Sequence, residues 1–169
     1  MKKNLNFLIV SSNFYTEISE ELLKGAIAKL DQYGVKYRCV NVPGALEIPL
    51  AIKYSVEFQK SNKDSDMVDF IDGYVALGCV IRGETSHYDH VCYESIHGIQ
   101  SIALQYSVAI GNGIITCENK SQARSRARIE GQNKGGLAAT AAFKMIEIKN
   151  YLESWKFSKI DIREKIINP

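Results

Sequence analysis

Apolar and polar positions along this chain alternate between two spacings, one suited to buried strands and one to amphipathic helices. Phe7 to Val10 is an unbroken apolar run, as a strand covered on both faces requires. A Ser-Ser-Asn-Phe loop follows. From Thr16 the apolar residues Ile18, Leu22, Leu23, Ala26, Ile27 and Leu30 recur at helical spacing, and Gly34 is placed to end that helix. Glu17, Glu20 and Glu21 suit the positive end of its dipole. Val35 to Val42 is strand-like and stops at Pro43-Gly44. Ala45 to Phe58 returns to helical spacing, with Pro49 tolerable only near the first turn.

The same alternation continues to the C-terminal third. The polar stretch Gln59 to Asp66 is expected to be a loop and the most mobile part of the chain. Val68 to Ile81 should hold the third strand, and Tyr88 to Tyr106 a long helix with Val91, Ile99, Ile102 and Ala103 inward. Val108 to Thr116 reads as a fourth strand interrupted by Gly111-Asn112-Gly113. Two helices follow, Lys120 to Glu130 and Gly136 to Ser154, divided by Gly131 to Gly135. Strands alternating with helices give an α/β protein, a parallel sheet sandwiched between two helical layers. The expectation is a single domain over residues 1–154, with a tail of unassigned role over 155–169.

Composition narrows the class without naming a function. The chain has 169 residues, 46% hydrophobic and 24% charged, enough for one core of ordinary size. Its net charge of +2 does not suggest a nucleic-acid surface. Lys2 and Lys3 precede an apolar run too short for a signal peptide or a membrane span, so neither is expected. The cysteines at 39, 79, 92 and 117 form no CxxC pair, and a reducing cytoplasm is the simplest compartment.

Polar chemistry gathers where predicted strands end. Cys79-Val80-Ile81-Arg82-Gly83-Glu84-Thr85-Ser86-His87 carries the chain from an apolar run into a helix. The first N–H groups of a helix have no intrahelical partners, so such a loop can cradle an anion. His87 adds a group able to move protons near neutral pH. An ordinary corner capped by Ser86 fits the same residues. Phe14 can stack on a planar ligand or fold onto the core. Glu47 can accept hydrogen bonds from sugar hydroxyls or serve only as a first-turn acid. Arg124, Arg126, Arg128 and Lys134 can meet a phosphate or form a solvated face. His87, His90 and His97 include no i,i+4 pair and no suitably spaced cysteines, so no metal is expected. Four loops are expected at one sheet edge: Asn13-Phe14, Gly44 to Glu47, Cys79 to His87, and Asn112 to Asn119.

Taken in order, Asn13-Phe14, Val42-Pro43-Gly44-Ala45-Leu46-Glu47-Ile48-Pro49, Gly78 to Tyr88 and Asn133-Lys134-Gly135 resemble the lumazine synthase family. The resemblance runs from about Phe7 to Ile148, and the long Gly78–Tyr88 segment is its most specific part. It implies a flavodoxin-like three-layer α/β/α fold with a four-stranded parallel sheet. It also implies a transferase of riboflavin biosynthesis that joins 5-amino-6-(D-ribitylamino)uracil to 3,4-dihydroxy-2-butanone 4-phosphate, releasing phosphate and water. No cofactor is implied. Phe14 would stack on the pyrimidine, Ala45, Leu46 and Glu47 would hold the ribityl chain, and Cys79, Val80 and Ile81 would line the pyrimidine pocket. Glu84 and Thr85 would cradle the ketone's phosphate with Arg126 and Lys134, and His87 would transfer protons.

Two positions depart from the family pattern, which often has Phe at Leu46 and an aromatic at Asn112. In the family the latter position comes from a neighbouring subunit. Asn112 can hydrogen-bond a heterocycle but stacks poorly. Partners implied are small molecules and further copies: a homopentamer with sites at subunit interfaces, and in some members a 60-subunit shell. The Arg126–Lys134 connection has no insertion of the sort that could obstruct a shell, so pentamer and shell both stay open. Three other readings fit parts of the pattern. An archaeal-type riboflavin synthase is disfavoured by Arg126, a flavin or lumazine carrier by His87 and Arg126, and a structural shell protein by Glu47.

Overall fold

The structure, a computed structural model, describes residues 5–63 and 69–155. Four strands, β1 (Asn6–Ser12), β2 (Lys36–Val42), β3 (Gly73–Ile81) and β4 (Ala109–Cys117), form one parallel sheet in the order β2-β1-β3-β4. Five helices connect and follow them: α1 (Thr16–Tyr33), α2 (Glu47–Ser61), α3 (His87–Tyr106), α4 (Lys120–Ala127) and α5 (Lys134–Glu153). The expected α/β/α sandwich is what the chain forms.

Each face of the sheet has its own core. Phe7 and Ile9 of β1 join Val75, Leu77 and Ile115 beneath α1, α4 and α5, where Leu22, Leu30 and Ala142 complete the cluster. Val10, Tyr74, Ala76 and Ile114 face the other way, against Ile48 and Ile52 of α2 and Ile99 and Ile102 of α3. Burying a side chain such as Ile9 or Leu22 contributes about 1.5–3 kcal/mol. Tyr74 is fully buried yet its hydroxyl is satisfied, accepting from Gln59 Nε2 at 2.6 Å and lying 3.2 Å from Ser55 Oγ.

Several boundaries differ from the sequence expectation, each for a packing reason. Ser11 and Ser12 extend β1, because they pair with Asn41 and Val42 of β2 and are buried despite their hydroxyls. Residues 69–72 precede β3 without joining it, and Val68 lies outside the described residues. Of the expected mobile loop, residues 59–61 complete α2, and 64–66 lie outside the described residues. The glycines at 111 and 113 do not interrupt β4. They let α5 approach, since a Cβ on Gly111 would stand 1.8 Å from the Ala138 carbonyl oxygen. Gly135 plays the same part between α5 and α1, where a Cβ would meet the Leu22 carbonyl oxygen at 1.9 Å. α4 ends at Ala127, short of Glu130, and α5 begins at Lys134, capped by the Asn133 side chain on the Gly136 N–H at 3.1 Å. Of the tail, only Trp155 is among the described residues.

The strand order fixes where a ligand can sit. The chain moves from β1 to β2 through α1, then crosses by α2 to β3 on the other side of β1. The crevice beyond the carboxyl ends of β1 and β3 is therefore the topological switch point, the usual binding place in open α/β sheets.

Candidate active site

A cavity of about 410 Å³ opens at that switch point, within the range of small-molecule sites. Three segments build most of its wall. Phe14 and Tyr15 come from the β1–α1 loop, Pro43 to Glu47 from the β2–α2 junction, and Cys79, Val80, Ile81, Gly83 and Thr85 from the end of β3 and its loop. His87, Tyr88 and Val91, at the start of α3, complete it.

The Phe14 loop is pinned at both ends. Asn13 N–H donates to the Val42 carbonyl at 3.0 Å, and Ser19 Oγ donates to the Ser12 carbonyl at 2.5 Å. Phe14 is left 69% exposed, its ring edge-on to Tyr15 with centroids 5.0 Å apart. An exposed aromatic on a fixed loop is free to lie against a planar ligand. Leu46 is half-exposed at the same mouth, while Ala45 is buried in the wall.

Glu47 begins α2, where Pro49 sits in the first turn and costs no helix hydrogen bond. Its carboxylate bends back toward Gly44, and a Cβ there would stand 2.9 Å from Oε2. Glu47 makes no hydrogen bond or ion pair among the described residues, so its oxygens are available to hydroxyl groups.

β3 is buried along its length, and Cys79 is 5% exposed. Burial, with the Cys117 thiol beside it, pushes the Cys79 thiol up to about 12. It therefore stays protonated at neutral pH, as a residue of the cavity wall. Beyond Ile81, Arg82 N–H donates to the Cys117 carbonyl at 2.9 Å and extends the pairing with β4 by one residue. From Gly83 to Ser86 the backbone N–H groups donate no main-chain hydrogen bond among the described residues. They lie at the start of α3, where the helix dipole favours an anion. Ser86 occupies the cap position without a side-chain hydrogen bond; Thr85 Oγ1 instead accepts from the His87 N–H at 3.4 Å.

The remaining sequence candidates stand apart from the cavity wall. Glu84 is on the loop between two lining residues without lining the cavity itself. Asn112 lies within β4, opposite Ala76, and is not at the strand's carboxyl end as expected. The cause is that β4 continues to Cys117. Its Oδ1 accepts from the Ile114 N–H at 2.9 Å, which leaves the exposed amide NH2 to donate outward. Arg126 Nη1 donates to the Gln122 carbonyl at 3.3 Å within α4. Lys134 starts α5 on the same sheet face. Of the arginine run, Arg124 is committed to Glu17 through Nε at 2.9 Å and Nη2 at 3.0 Å.

Gly44 and Gly83, in loops the sequence already placed at the sheet edge, line the cavity, as do Tyr15, Pro43, Tyr88 and Val91, which it did not mark as site residues. Tyr15, Pro43 and Tyr88 sit within or beside the family-like segments, and Val91 reads in sequence only as an inward position of α3. Among the described residues, no group of three or more His, Cys, Asp or Glu side chains is arranged to hold a metal ion.

Residues 4–150 match the family model of 6,7-dimethyl-8-ribityllumazine synthase. The chain belongs to the lumazine synthase family. Proteins of that name include one from Bartonella bacilliformis, 48% identical over 86% of this chain and 91% of the relative. Another, from Agrobacterium fabrum, is 46% identical over 87% and 96%. The lumazine synthase 1 of Rhizobium meliloti is 46% identical over 91% of this chain and 97% of its own. The chain is thus an enzyme of the riboflavin pathway, a transferase, as the motifs implied. No helix among the described residues is long and apolar enough to cross a membrane.

Proposed function

We propose that the chain condenses 5-amino-6-(D-ribitylamino)uracil with 3,4-dihydroxy-2-butanone 4-phosphate at this cavity, forming 6,7-dimethyl-8-ribityllumazine. The observation that carries this reading is convergence. One crevice brings together an exposed ring at Phe14, an uncommitted carboxylate at Glu47, and unpaired loop N–H groups beside His87.

Each group matches one part of the substrates. The pyrimidine lies against Phe14, with Cys79, Val80 and Ile81 behind it. Glu47 accepts from the ribityl hydroxyls, beside Ala45 and Leu46. The ketone's phosphate rests on the N–H groups of Glu84 and Thr85. The amine and ketone are intrinsically reactive, so holding them together contributes most of the acceleration, up to roughly 7–11 kcal/mol in ideal cases. The reaction passes through an imine, expels phosphate and closes the ring with loss of water, and His87 relays protons between these steps.

The phosphate site is only half built within one chain. Arg126, Lys134 and Asn112 lie outside the cavity wall, and in this reading a second copy presents them. The functional form in this reading is a homopentamer with its sites between subunits, and its compartment is the cytoplasm, in keeping with four free thiols. The exposed apolar residues Leu50, Tyr54 and Phe58, at helical spacing on α2, with Tyr93 and Leu104 on α3, supply surface for such contacts.

The test mixes the purified chain with both substrates and follows lumazine absorbance and inorganic phosphate together. Equal amounts of both support the reading. A folded chain that binds lumazine but forms neither is a carrier.

A further inference from the structure

Arg82 belongs to the most specific motif of the chain, yet none of the roles above uses it. Its side chain is held by two carboxylates and a ring. Nη1 and Nη2 pair with Asp89 Oδ2 and Oδ1 at 3.3 and 3.1 Å, and Nε donates to Glu118 Oε2 at 2.9 Å. Its guanidinium carbon lies 4.0 Å from the centre of the Tyr88 ring. Each partner sits at a junction that matters to the site. Tyr88 lines the cavity, and Asp89 is in the first turn of α3, two residues beyond His87. Glu118 stands between the end of β4 and Asn119, the cap of α4, whose Arg126 serves a neighbouring copy's site in the reading above.

We propose that Arg82 is a positioning residue for the phosphate-binding loop, fastening it to the first turn of α3 and to the β4–α4 corner. This inference rests on the functional reading above. A guanidinium that is forked to one carboxylate, bonded to a second and stacked on a ring has a fixed orientation. In the loop it anchors, the backbone N–H groups from Gly83 to Ser86 donate no main-chain hydrogen bond, among the described residues. Arg82 also offsets the negative charge of Asp89 and Glu118. Without it, two carboxylates would face the approach of a phosphate dianion, whereas the uncharged ribitylaminouracil would be indifferent to them.

These ion pairs are exposed, so their share in global stability is small. That separates positioning from a merely structural role. Steady-state kinetics with each substrate varied in turn, and calorimetric titration with inorganic phosphate, would be run on wild type, Arg82→Gln and Arg82→Lys. Arg82→Gln is expected to raise KM for the butanone phosphate, and Kd for inorganic phosphate, about tenfold. KM for ribitylaminouracil and Tm should stay close to wild type. Arg82→Lys keeps the charge without the fork and should recover part of the phosphate affinity. An active wild type whose Arg82→Gln variant keeps both phosphate constants overturns the proposal. Equal rises for both substrates with a lowered Tm overturn it too, as a structural role. A wild type that makes no lumazine refutes the functional reading instead.

Discussion

Glu47 folds back over Gly44 so closely that a Cβ on the glycine would stand 2.9 Å from its Oε2. Both residues line the cavity. The contact is with the far end of a flexible side chain, so Gly44→Ala should displace the carboxylate without disturbing the fold. Glu47→Ala is expected to raise KM for ribitylaminouracil about 10–100-fold, the loss of hydrogen bonds to a charged group. Gly44→Ala should move it the same way by less, and neither should alter KM for the butanone phosphate. Varying each substrate in turn checks this.

His87 lines the cavity beside the loop N–H groups, and in the proposed function it relays protons between substrates that are reactive without it. His87→Ala should lower kcat by about 10²–10⁴-fold and leave a measurable rate, because proximity still operates. Complete loss in a folded variant would make His87 more than a proton relay.

Two close backbone approaches seat α5 against β4 and α1. Gly111→Ala drives a methyl into the Ala138 carbonyl and Gly135→Ala into that of Leu22. Neither neighbour is a side chain that can rotate away. Each substitution should cost about 1–3 kcal/mol or more, as overpacking does. The urea midpoint of unfolding reads it, and Gly83→Ala, with open space around its Cβ, serves as the control.

Cys79 gives stability a definite sign against pH. Burial and the neighbouring Cys117 hold its thiol at about 12, up from an ordinary 9.0. Above pH 9 the unfolded chain releases this proton while the folded chain keeps it, so the folded state binds more protons. Stability is therefore full below that value and falls as pH rises toward 12. Tyr74, also raised by burial, adds to the fall in the same direction. Alkaline unfolding should be shallower in Cys79→Ala. That variant should also keep its catalytic activity, as a wall residue allows.

Much of this was legible in the chain. Uninterrupted apolar runs such as Phe7 to Val10 and the helical spacing from Ile18 to Leu30 gave the layers, because burial on one or two faces imposes those periods. Gly34 adopts a left-handed φ of 64° and ends α1 as its sequence position suggested. Where reading failed, the cause was tertiary. Gly111 and Gly113 look like a break, and only contact with α5 explains them as strand. Ser11 and Ser12 look like a loop until their strand partners are known. The Phe14, Glu47 and His87 segments were visible as polar loops at strand ends. The Arg82 network was not, because Glu118 lies far from it in sequence.

In the proposed function, His87 of one copy works with Arg126 of another. Mixing protomers tests it most directly. His87→Ala and Arg126→Ala proteins would each be unfolded, combined, refolded together and assayed for lumazine formation. If sites lie between copies, some mixed sites hold both native residues, and activity should exceed the mean of the two separate variants. Activity equal to that mean, from oligomers shown to contain both variants, would place His87 and Arg126 in the same chain's site and contradict the shared one.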